Sequence, residues 1–133
     1  MDFLDRMLDK LESDVTLFTF VRKGLLAEGN SIAVRQTPTP PNTTYLNKDR
    51  IDNYGFQFLV RHKDVLTAEN TIQSIHGYLC NRTDIESHDD SFKLINIDVS
   101  TMPNWVGVSE RGEYEYTAIF QAELQINGGI NNG

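Results

Sequence analysis

Three histidines, one cysteine and a short acidic, serine-bearing stretch are the residues of this chain that could do chemistry. Ser87-His88-Asp89-Asp90-Ser91 contains the residue types of a nucleophile, a base and an orienting acid. A hydrolytic triad is assembled from groups that converge across a fold, and immediate neighbours in a polar loop rarely reach that geometry. The stretch therefore reads as a solvated loop. His62, His76 and His88 are far apart, show no metal-ligand spacing, and have only Cys80 as a possible thiolate companion, so a zinc site is not expected. Glu86, Asp89 and Asp90 could meet a cation, but the calcium-loop spacing is absent. Gly128-Gly129 does not lead from a strand into a helix, so it builds no phosphate cradle. The inventory yields no catalytic residue, no metal and no cofactor.

The elements that would position such groups read as a sheet with helices. Tyr114, Tyr116, Ala118, Phe120, Ala122, Leu124 and Ile126 occupy alternate positions, with Glu113, Glu115, Thr117, Ile119, Gln121, Glu123 and Gln125 between them. A period of two is the signature of a strand with one greasy and one wet face. Spanning about 43 Å at roughly 3.3 Å per residue, this strand is over twice the usual length. A small domain is not expected to cover all of it alone, which points to a bend or to a neighbouring subunit. Ahead of it, Glu110-Arg111-Gly112 supplies a hairpin turn.

Phe3, Leu4, Met7, Leu8 and Leu11 predict an amphipathic first helix, with Asp2 placed to cap it. Val15 to Leu26 carries mixed signals, and Ser31 to Thr37 reads as a short strand. Prolines 38, 40 and 41 then open a stiff loop that runs to about Asp52, long enough to carry contacts. Tyr54 to Arg61 alternates as a second strong strand. Ala68, Ile72, Ile75 and Leu79 give a second helix, capped by Asp64 or Thr67, in which Gly77 suggests a close packing contact. Ser91 to Ser100 is a further strand whose apolar phase shifts at Leu94-Ile95, as a bulge would produce. Met102-Pro103-Asn104 interrupts it, and Trp105 to Ser109 resumes extended structure.

This order predicts an α+β fold: one antiparallel-rich sheet, two main helices on one face, and a long C-terminal hairpin strand. Residues 1–126 form a single domain and 127–133 a flexible tail poor in apolar side chains. The other sheet face stays open unless a second molecule covers it.

Composition narrows the function classes. A net charge of −7 repels phosphate backbones, so nucleic-acid affinity is a poor expectation. Tyr54, Phe56, Phe58, Tyr114 and Tyr116 could form a base-stacking platform, but without a basic surround they read as core. One cysteine excludes an internal disulfide, fits a reducing compartment, and reads as a half-buried thiol. Asp2, Asp5, Arg6, Asp9 and Lys10 leave no apolar signal stretch, and no apolar run approaches membrane-spanning length. Asn42-Thr43-Thr44 and Asn81-Arg82-Thr83 are then chance glycosylation matches.

Two stretches carry a resemblance. Phe56-Gln57-Phe58-Leu59-Val60-Arg61 enters a helix through Asp64 and Ala68. Later, Trp105-Val106-Gly107-Val108-Ser109-Glu110-Arg111-Gly112-Glu113-Tyr114 leads to a strand through Phe120. In this order they resemble the minor capsid or tail-terminator family of long-tailed bacteriophages, from the first helix to about Ile126. The resemblance implies a structural virion protein, not an enzyme, assembled in the host cytoplasm. It implies a hexameric ring at the head-proximal end of the tail tube, which stops tube polymerisation and joins tail to head. The implied partners are further copies of the chain, a tail tube protein and a head-completion or connector protein, with DNA passing through the lumen unbound and no membrane involved. Under that reading Glu113, Glu115 and Glu123 face the lumen, and Pro38, Pro40, Pro41, Tyr45, Arg61, Trp105 and Arg111 meet neighbouring subunits or partners. A head-closure or tail-completion factor is the nearest alternative, and a small ligand- or RNA-binding α+β module the one from another class.

Overall fold

The computed structural model describes residues 2–39, 44–46 and 49–126, with the backbone alone at 44–46, 49 and 50. Its elements are α1 (Phe3–Asp14), β1 (Val21–Lys23), β2 (Ser31–Thr37), β3 (Thr44–Leu46), β4 (Asp49–His62), α2 (Val65–Leu79), β5 (Phe92–Val108) and β6 (Tyr114–Ile126). The strands form one sheet in the order β1-β2-β4-β6-β5, with β3 paired to β4. Only β1 against β2 is parallel.

Alternation sets which face is buried. Phe56, Phe58 and Val60 on β4 and Ala118, Phe120, Ala122 and Leu124 on β6 are fully enclosed. They meet Phe3, Met7 and Leu11 of α1 and Ala68, Ile72, Ile75 and Leu79 of α2 in one core, so both helices lie on the same face. Phe56 stacks on Phe120 at 5.4 Å between ring centroids. Phe3 reaches Tyr54, Phe56 and Phe92 edge-on or tilted, seating α1 on the sheet. At the far ends of the helices the Tyr78 hydroxyl donates to Asp14 Oδ2 at 2.5 Å, tying α2 to α1. Burial, aided by that bond, pushes the Tyr78 phenol up to about 12.

Several expectations are revised. The loop expected as far as Asp52 contains β3 and the start of β4, because β6 is long enough to pair β4 from Arg50↔Ile126 to His62↔Tyr114. Asp2 precedes α1 but makes no side-chain cap; its carboxylate accepts from Ser87 Oγ (2.8 Å) and His88 N (2.9 Å) instead. Those bonds, the His88 amide foremost, hold the Asp2 carboxyl below its ordinary value. Gly77 is exposed, and a Cβ there would meet nothing within 4 Å, so no close packing depends on it. Met102-Pro103-Asn104 does not end β5; the strand continues through register shifts, the first between Leu94 and Asn96 where the apolar phase shifts. Gly112 does take the left-handed turn conformation, at φ 81°. The tail at 127–133, Pro40 and Pro41 lie outside the described residues.

Candidate functional site

The side chains suspected of chemistry stay apart. Ser87 Oγ donates within its own loop and to Asp2, and Asp89 accepts from Ser87 and the Ser91 amide. These bonds hold the Asp89 carboxyl well below the ordinary carboxylate range. The stretch is a self-bonded loop pinned to the start of α1. Among the described residues no group of three or more His, Cys, Asp or Glu side chains could hold a metal. Cys80 is half-buried. No described helix is long and apolar enough to cross a membrane.

What remains is a surface with two unequal parts. The first is the sheet face opposite the helices. Arg35 Nε donates to Gln57 Oε1 (2.9 Å), Gln57 Nε2 to Thr117 Oγ1 (2.8 Å), and Thr117 Oγ1 to the Phe58 carbonyl (2.9 Å). This ladder runs across β2, β4 and β6 and satisfies its own polar groups, so water can wet the face at little cost. Beside it Arg61 Nε pairs with Glu115 Oε2 at 2.8 Å, and Arg61 Nη1 donates to the Ala27 carbonyl. Glu115 is therefore a compensated charge. Glu123 is half-buried between Asn53 and Asn96 on the flanking strands. Glu113 behaves differently: it is 2% exposed, accepts from Ser109 Oγ at 2.7 Å, and returns its own amide to that hydroxyl. It locks the hairpin turn.

The residues expected at contacts fall at separate ends of the strands. Arg61, Arg111 and Glu113 gather around a shallow cleft of about 270 Å³ beside the β5–β6 turn, where Arg111 also reaches Glu28 at 3.4 Å. Pro38 is exposed just beyond β2, at the opposite end of the sheet. Tyr45 lies in β3, across from Arg50.

Trp105 marks the second part. It lies in β5, an edge strand, opposite Tyr116. The row Val21–Ile32–Val60–Tyr116–Trp105 crosses the whole sheet. Its first three side chains are buried, Tyr116 is half-buried, and Trp105 is 57% exposed. A core row thus runs out into solvent at β5. Met102, Val106 and Val108 are exposed with it. Along its first half the outer edge of β5 is covered by the Glu86↔Lys93 bridge and by the Asn81 amide on the Ile97 carbonyl. From Thr101 to Val108, among the described residues, no further strand pairs with that edge, and Asn104 Nδ2 donates locally to the Met102 carbonyl at 2.8 Å. Bare apolar edges promote pairing with other chains and are usually blocked. Sequence reading singled out Trp105 but not Met102, Val106 or Val108. The available signal was the loss of strict alternation after Asn104, which leaves no single face for those side chains to bury.

Comparison with known proteins gives a family and a likeness of fold. A family model described as bacteriophage tail terminator protein matches residues 26–126. Among solved structures, a chain of the "Virion of native gene transfer agent (GTA) particle" superposes with a TM-score of 0.67 at 13% identity. That alignment covers 90% of this chain and 91% of the other, a likeness of fold. No curated protein sequence gives a significant match.

Proposed function

This chain belongs to the bacteriophage tail terminator protein family, a family of structural virion proteins, and on that premise we propose that it forms a hexameric ring. The ring sits at the head-proximal end of the tail tube, ends tube polymerisation and joins tail to head. One face meets the tail tube protein and the other a head-completion or connector protein. The carrying observation is the family match, which spans the chain from the approach to β2 to the end of β6. The bare apolar half of β5 supports it physically, because a soluble monomer gains nothing from leaving that edge open.

The sheet face away from the helices lines the lumen. Glu123 supplies the repulsion that keeps DNA phosphates moving, whereas the charge on Glu115 is offset by Arg61. Glu113 serves the hairpin turn instead of the lumen, since its carboxylate is enclosed. Arg61 and Arg111 at the turn end, Pro38 and Tyr45 towards the other end, and Pro40 and Pro41 supply subunit and partner contacts. Assembly takes place in the host cytoplasm.

Termination is tested by adding the purified protein to tail tubes growing in vitro. Tubes should stop lengthening and carry a cap of extra density at one end. Unchanged growth with uncapped ends would contradict the proposal.

A further inference from the structure

Two apolar patches lie at opposite edges of the one sheet. At the β5 edge are Trp105 and Val108, on the helix side beside Tyr116 and Tyr114. At the β1 edge are Phe20, 63% exposed, and Leu25, 79% exposed. Phe20 adjoins the cross-strand row of Trp105, because Val21 next to it is joined through Ile32, Val60 and Tyr116 to Trp105. Phe20 and Trp105 are therefore level with one another across the sheet, and Leu25 follows just past the other end of β1.

We propose that the Trp105–Val108 end of β5 in one copy docks on Phe20 and Leu25 beside β1 of the next copy, a head-to-tail contact that rests on the ring reading above. Two different patches on one subunit are what a heterologous interface requires, and such an interface closes into a ring when the rotation allows. The charges match. Arg22 stands beside Phe20, its guanidinium 5.6 Å from the ring centroid, whereas the charge of neighbouring Lys23 is offset by Asp5 at 2.6 Å. Across the sheet, Glu69 of α2 lies within electrostatic reach of Tyr116, and exposed Glu110 follows Val108. Docking brings Arg22 towards the Trp105 ring and Glu69, a pairing favourable through both the ring face and the carboxylate. The two edges are not alike in backbone. The Val21 amide at β1 is taken by Glu12 Oε2 at 2.8 Å, which blocks strand addition there. The contact is accordingly made by side chains, and two β1 edges do not zip together.

Head-to-tail pairing gives a specific test by light scattering on Trp105→Glu and Phe20→Asp proteins, each checked for an unchanged circular dichroism spectrum. Wild type should form rings. Each variant alone should be monomeric, since each lacks one half of the contact. An equimolar mixture should form a dimer and stop, because the intact β1 patch of one variant meets the intact β5 patch of the other only once. Val108→Asp and Leu25→Asp replace either variant that fails to fold. Variants that still form rings would overturn this contact and leave the ring standing. A mixture that stays monomeric, or that closes rings, would overturn the head-to-tail pairing. Wild type that is monomeric at every concentration would remove the ring and the contact with it.

Discussion

Glu113 and Glu115 are two positions apart and do unrelated jobs. Alternation puts both on the wet side of the last strand, and for Glu115 that reading agrees with its place opposite Arg61 on the open face. Glu113 stands one residue before β6, where turn geometry and not the pleat sets side-chain direction, so its carboxylate folds back on Ser109. The sequence carried no sign of this, because a turn residue and a strand residue of the same type look identical at a strand boundary. The consequence is measurable. Glu113→Ala should cost about 1–3 kcal/mol in urea unfolding, the usual penalty for stripping a buried hydrogen-bonded group. Glu123→Ala, on the open face, should stay within about 0.5 kcal/mol. The same distinction applies to Asp2, which has the position and residue type of a helix cap but binds the Ser87–His88 loop. That partner is far away in sequence, and only the closed fold shows it.

At the scale of elements, the helices and the strands with strict alternation were legible, since their periodicity alone dictates which face is buried. α1, β2 and β6 run as their patterns imply. β4 is longer than its own alternation suggests because its length is set by β6, a long-range pairing that propensity does not encode. β5 absorbs a proline and keeps going, since an edge strand can lose an amide donor and shift register without breaking an inner ladder. Gly77 is the opposite case: its place in α2 suggested tight packing, and the helix surface there is open. With no contact to lose, Gly77→Ala should raise stability by about 0.5–1 kcal/mol through helix propensity and a less flexible unfolded chain. A higher thermal midpoint would be the readout; a lower one would mean that another molecule or segment approaches that glycine.

For the whole molecule, the open sheet face and the bare half of β5 have different meanings. The face is internally satisfied by the Arg35–Gln57–Thr117 ladder and needs no cover. The edge is apolar and exposed, and in the proposed ring a second copy covers it. An acidic chain of net charge −7 also repels DNA phosphates. Family membership places the protein in a phage-type tail, and the exposed apolar edge is where the proposed contact between copies falls. Electron microscopy of the purified wild-type protein is the most direct test of that account. Closed rings with six-fold symmetry, their subunits joined β5 edge to β1 edge, are expected. Isolated monomers, or two-fold pairs with β5 against β5, would contradict it.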